Sequence, residues 1–161
     1  MPHDLAIALE QAIDRESAHL IRISEDDAGR KPSAPAWSKK EELGHLIDSA
    51  ANNHLRFVAG SLQAEFRGPS YDGNGWVDRH GYREMPWAHI VDFWQRYNRF
   101  LAGAIRRIPE DRLETSCTIG DGPAVTLRFL IEDYIAHMQH HLDHILQREK
   151  LTQYPGAALG V

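Results

Sequence analysis

A chain of 161 residues, 42% hydrophobic and 25% charged, is long enough to bury one hydrophobic core. Its formal net charge of −5 argues against nucleic acid as the main partner, because phosphate binding wants a basic face; no apolar run reaches the length of a membrane span. The single cysteine, Cys117, excludes an internal disulfide and a cysteine-rich zinc site, and the start Met1-Pro2-His3-Asp4 lacks the basic and apolar regions of a secretory signal, which points to the cytoplasm.

Four segments carry helical periodicity, without an internal repeat. The first spans about residues 4–23, with Leu5, Leu9, Ala12, Ile13, Leu20 and Ile23 in the apolar roles. Residues 25–36, with Gly29, Pro32 and Pro35, read as a polar linker. Ser38-Lys39-Lys40-Glu41 is a capping box that opens a second helix, whose apolar stripe is Leu43, Leu46, Ile47, Ala50, Phe57 and Val58. Over residues 65–85 Gly68, Gly73, Gly75, Gly81 and Pro69 alternate with Tyr71, Trp76 and Tyr82, the composition of an ordered loop packed on the body; Gly73-Asn74-Gly75 within it is turn chemistry. Pro86 suits the first turn of a third helix carrying Ile90, Phe93, Trp94, Tyr97, Phe100, Leu101 and Ile105. Ile119-Gly120-Asp121-Gly122-Pro123 predicts a small hairpin or extended excursion over residues 115–126. Thr126 then caps a fourth helix that runs to about Glu149, and the tail with Pro155, Gly156 and Gly160 reads as irregular. The expected fold is all-α: a four-helix bundle with long connections in a single domain over residues 1–161, with an irregular helical domain as the alternative.

The densest chemistry lies in Tyr134-Ile-Ala-His137-Met-Gln-His140-His141-Leu-Asp-His144-Ile145. Residues four apart share a helix face, so His137 with His141, and His140 with His144, can each close on one metal ion. On a helical wheel Ile131, Tyr134, Ile135, Met138, Leu142, Ile145 and Leu146 form the core stripe. His141 borders it, His137 lies a little farther round, His144 is ambiguous and His140 points to solvent. A histidine-rich solvated face is the plainer alternative. A third ligand could come from the second helix, where the wheel places His54 on the apolar stripe and His45 on the polar face with Ser49, Asn52 and Arg56. Periodicity leaves that choice open.

Trp37-Ser38-Lys39-Lys40-Glu41-Glu42-Leu43-Gly44-His45-Leu46-Ile47-Asp48 resembles the second-helix signature of the DinB/YfiT-like metalloenzymes, with a His-Leu pair eight residues after the tryptophan. The His137-to-Ile145 stretch resembles the same family's fourth-helix signature, and Tyr71-Asp72 followed by Trp76 resembles its loop after the second helix. The resemblance implies a four-helix bundle holding a divalent metal through His45, His137 and His141, with His54 outside the pattern. It also implies a metal-dependent enzyme, either a hydrolase or a transferase using a low-molecular-weight thiol, acting on a small-molecule substrate.

Three imidazoles with a vacancy suit zinc first, with nickel, iron or manganese as alternatives. Asp48, one turn beyond His45, is a candidate to orient a ligand imidazole. Tyr71, Asp72 and Trp76 are candidates for a substrate rim or for pinning the loop, and His144 for the pocket. Cys117 reads as a buried small residue. No His-Glu-x-x-His pair, phosphate loop, dinucleotide fingerprint or Gly-x-Ser-x-Gly elbow appears. The competing reading is a non-catalytic, stress-associated metal-binding bundle, and a homodimer stays open.

Overall fold

Capping chemistry sets where the long helices begin. The computed structural model describes residues 1–149 and Tyr154. In chain order it contains α1 (Pro2–Leu20), α2 (Glu25–Gly29), α3 (Lys39–Leu62), β1 (Glu65–Gly68), α4 (Gly73–His80), α5 (Trp87–Arg106), β2 (Ser116–Ile119), β3 (Val125–Thr126) and α6 (Leu127–Ile145), with 3-10 turns at Tyr82–Glu84 and Glu110–Glu114. Ahead of α3 the Ser38 hydroxyl accepts from the Glu41 amide at 3.3 Å, and the Glu41 carboxylate accepts from the Ser38 amide at 2.7 Å. Thr126 caps α6 by accepting from the Phe129 amide at 3.1 Å. Among the described residues, no helix is long and apolar enough to cross a membrane.

The four long helices α1, α3, α5 and α6 bury their apolar stripes on one another, but not in sequence order. Both α1 and α3 pack on α5 and on α6, so α1 sits diagonally from α3, and α5 diagonally from α6. Side-chain pairs give the directions. Asp14 meets Arg99 and Glu10 meets Arg106, so α1 and α5 are antiparallel. Glu42 meets His144 while Gly60 sits against Leu127, so α3 and α6 are antiparallel. His54 meets Tyr97 while Val58 and Leu62 share a groove with Ala104 and Ile108, so α3 and α5 run parallel. A parallel α3 and α5 force their connection to retrace the length of α3, about 36 Å at 1.5 Å per residue.

The retracing segment is more structured than its composition suggests. β1 pairs in parallel with β2, placing Phe66 opposite Cys117, and β2 pairs antiparallel with β3 as the expected hairpin. Gly73 and Gly75 open a helix, not a turn. The Asp72 side chain accepts from the Gly75 amide at 3.1 Å and caps α4, which ends at Gly81 in the left-handed region, φ 64°. Glycine is tolerated in such a first turn once a cap satisfies the backbone. Gly73 ends up beside the His45 ring, and the Tyr82 ring packs directly on Gly44.

Other boundaries also shift. α1 starts at Pro2 and stops at Leu20, and the linker contains α2, whose Ser24 cap accepts from the Asp27 amide. α6 stops at Ile145, four residues short of Glu149. Val58, Phe93 and Phe100, expected in apolar stripes facing the core, are 38%, 54% and 62% exposed. Apart from Tyr154, the tail lies outside the described residues.

A Cβ at Gly44 would stand 2.1 Å from the Tyr82 ring. Gly44→Ala should therefore destabilise the fold by about 1–3 kcal/mol, despite alanine's better helix propensity. In a Tyr82→Leu background the same substitution should cost far less. Urea unfolding of the four proteins measures both.

Candidate metal centre

Every residue of α3 from 40 to 50 is buried. Its apolar face meets the bundle core; its polar face is covered by α6 and by the retracing segment. His45, on that polar face, is only 7% exposed and points at α6, where His137 is 4% exposed and His141 half-buried. The Nε2 atoms of His45 and His137 are 3.3 Å apart. One ring nitrogen from each of His45, His137 and His141 lies within 4.8 Å of the other two. Nitrogens about 2.0–2.1 Å from a tetrahedral ion stand roughly 3.3 Å apart, so the first pair already has a ligand spacing.

Neighbouring groups hold these rings. The Glu42 carboxylate lies 2.9 Å from His141 Nδ1 and 2.7 Å from His144 Nδ1, so His141 turns Nε2 towards the other two rings. The Ser49 hydroxyl lies 3.5 Å from His137 Nδ1, which likewise leaves Nε2 inward. Trp37 packs against His45 with ring centroids 4.9 Å apart, and the Tyr154 ring lies 5.5 Å from that of His137. His45 Nδ1 is buried and has no hydrogen-bond partner among the described residues.

Burial keeps two of the three rings uncharged. It pushes His45 down to about 4 and His137 down to about 2, and the neighbouring His141 adds to both shifts. Both imidazoles are therefore neutral at pH 7, the form that binds a metal.

The other candidates fall in several places. Asp48 does not orient a ligand imidazole. It is 1% exposed and its Oδ1 accepts from the Tyr82 hydroxyl at 2.6 Å and lies 2.7 Å from His80 Nδ1, tying the retracing segment to α3. Burial raises its pKa, against those hydrogen bonds. Tyr71 is half-buried, edge-on to Trp76 at 5.6 Å, with the buried Arg56 guanidinium 5.9 Å from its ring centre. Asp72 is exposed and caps α4. His144 is exposed but tied to Glu42. His140 does not face solvent: it is half-buried, against the rings of His141 and Tyr154. His54 meets the Tyr97 hydroxyl at 3.2 Å, away from the centre. Cys117 is buried beside Gly60, near the other end of α3, and burial pushes its thiol up to about 11.

Glu42, Ser49 and Tyr154 are the residues that sequence reasoning passed over. Glu42 had a visible but ambiguous signal, since an acid in the first turn of a helix is ordinary dipole chemistry. Its place one turn before His45 is what aims it at α6.

The family model described as the DinB superfamily matches residues 8–145. The chain belongs to the DinB superfamily. A solved DinB-like structure, YfiT from Bacillus subtilis, superposes with a TM-score of 0.78 at 17% identity, covering 91% of this chain and 84% of that one. That protein is described as a probable metal-dependent hydrolase with an unusual four-helix bundle topology. At that identity the likeness concerns the fold. Among curated proteins, no match was found.

Unfolded histidines gain a proton near pH 6.5, whereas His45 holds out to about 4 and His137 to about 2. The unfolded state thus binds more protons, and the metal-free protein should lose stability as pH falls from 7 to 4, by up to about 1.4 kcal/mol per pH unit per imidazole. Asp133, raised to about 6 by burial, works in the opposite direction. Urea unfolding across that window should therefore show a shallower loss on acidification for His45→Leu than for wild type.

Proposed function

We propose that the chain is a metal-dependent enzyme of hydrolytic type, acting on a small molecule, with His45, His137 and His141 holding one divalent ion. A single observation carries this reading: three imidazoles from two helices, two of them buried and kept neutral, converge within 4.8 Å. The donor set fits a metal. It is all nitrogen, the Nε2 pair has ligand spacing, and partners on Nδ1 already fix two of the rings. Zinc suits such a set best; nickel, iron and manganese also accept imidazole. The description of the B. subtilis relative supports the same reaction class.

When bound, such an ion supplies a Lewis acid and lowers the pKa of a water it holds. The chain's own residues do the rest. Glu42 fixes the His141 tautomer and increases the ring's donor strength. Ser49 steers His137. Trp37 and Tyr154 wall the centre from bulk solvent. A cleft of about 570 Å³ adjoins it, with Trp37, Glu42, His140 and His144 in its lining, and is large enough for a small organic substrate. The DinB resemblance also implies thiol-dependent transfer, but no described side chain around the centre selects a thiol over water.

Metal analysis after reconstitution should give one equivalent in wild type. His45→Ala, His137→Ala and His141→Ala should each lose it, His140→Ala should keep it, and Glu42→Gln should weaken affinity about 10–100-fold. The zinc-loaded protein should hydrolyse members of an ester and amide panel, and His45→Ala should not. Activity only with added low-molecular-weight thiols would replace hydrolysis by thiol transfer. Full occupancy in His45→Ala would end the ligand assignment.

A further inference from the structure

The cleft beside the histidine centre is rich in charged side chains, and nearly all of them are answered. Lys39 donates to Asp27 at 2.5 Å, Glu42 is shared by His141 and His144, and Arg148 reaches Asp143 at 3.0 Å and Glu16 at 2.8 Å. Arg30 is the exception. Its side chain is 72% exposed, and its guanidinium comes no closer than 4.0 Å to Asp27, a carboxylate that Lys39 already occupies. The lining thus offers one cation in search of an anion.

A second feature of the same cleft is its backbone. α6 ends in a Schellman turn, in which the Arg148 amide donates to the Asp143 carbonyl at 3.2 Å and the Gln147 amide to the His144 carbonyl at 3.1 Å. The residue inside such a turn is left-handed, and glycine is usual there. Here it is Gln147, φ 52°, the single non-glycine residue with positive φ among the described residues. Glutamine at a position that favours glycine gives up backbone stability, which fits a use for its side chain. Gln147 lines the cleft and is exposed, and among the described residues its carboxamide has no hydrogen-bond partner.

Trp37 supplies the apolar part of the cleft and links it to the centre, because its ring also packs on His45. One planar guanidinium and one neutral carboxamide suit a single carboxylate, which takes a bidentate fork and a further donor. A phosphate dianion would leave a charge unanswered. We infer that the cleft recognises a small molecule with a free carboxylate: Arg30 and Gln147 donate to that group, Trp37 carries the apolar body, and the reacting bond lies at the histidine centre. The last part rests on the hydrolytic reading above, whereas the carboxylate subsite stands without it.

The test uses zinc-loaded full-length protein with nitrophenyl hemiesters of a homologous series of straight-chain dicarboxylic acids, each beside the nitrophenyl ester of the matching monocarboxylic acid. Wild type should favour the acid member of at least one pair, and Arg30→Gln should lower that preference in kcat/KM about 10–100-fold. Calorimetric titration with the free dicarboxylates reads the subsite without turnover, and affinity should fall by a similar factor in Arg30→Gln. Gln147→Gly should raise the urea unfolding midpoint yet weaken dicarboxylate binding about 3–10-fold, a combination that a purely structural residue does not give. Dicarboxylate binding that depends on Arg30, with no ester hydrolysed, would sink the hydrolytic reading and leave the subsite standing. Hydrolysis without acid preference, no dicarboxylate binding by wild type, or affinity unchanged in Arg30→Gln would overturn the subsite. Unchanged affinity in Gln147→Gly would overturn the part given to Gln147.

Discussion

Three imidazoles converging on one point of a helix seam constrain everything around them. A buried polar group is stable only if its donors and acceptors are met and its charge is avoided. Here burial keeps His45 and His137 neutral, and Glu42 and Ser49 take up ring nitrogens on the outer side. The polar stripe of α3 continues this way through Asn53, which bonds back to the Ser49 carbonyl, to Arg56, which reaches the Pro69 carbonyl. One helix thus buries two faces with opposite chemistry.

Topology makes this double burial possible. An ordinary up-and-down bundle would leave the outer face of α3 to solvent. Because α3 and α5 run parallel, the chain between them has to travel back along α3 and covers that face as it goes. Gly44 lets Tyr82 come close, Asp48 holds Tyr82 and His80, and Gly73 slides in beside His45. The glycines that look like loop punctuation are the places where the covering layer touches the helix. Its reach is limited: past the middle of α3 the outer edge carries Leu55 and Leu62 uncovered.

The parts of this arrangement that sequence reveals are the local ones. The Ser38 capping box, the Thr126 cap, the turn at Gly120 and the apolar periodicity of the four long helices rest on residues within a few positions of one another. The DinB-like motifs selected His45 over His54, which periodicity favoured for the core. The hidden parts depend on distant partners. β1 exists because β2, some fifty residues later, accepts its backbone. α4 exists because Asp72 caps two glycines that propensity alone assigns to a turn. A helical wheel, which has no information about Tyr154, points His140 at solvent, and a hydrophobic pattern, which assigns Phe93 and Phe100 to the core, does not distinguish a bundle seam from an uncovered one.

The central claim is that His45, His137 and His141 bind one ion together. X-ray absorption on the zinc-loaded protein tests it most directly. A zinc shell with three imidazole nitrogens at about 2.0–2.1 Å is expected, with one of them lost from the residual zinc bound by His45→Ala at saturating metal. A shell with fewer than two imidazoles, or one unchanged in His45→Ala, would contradict it.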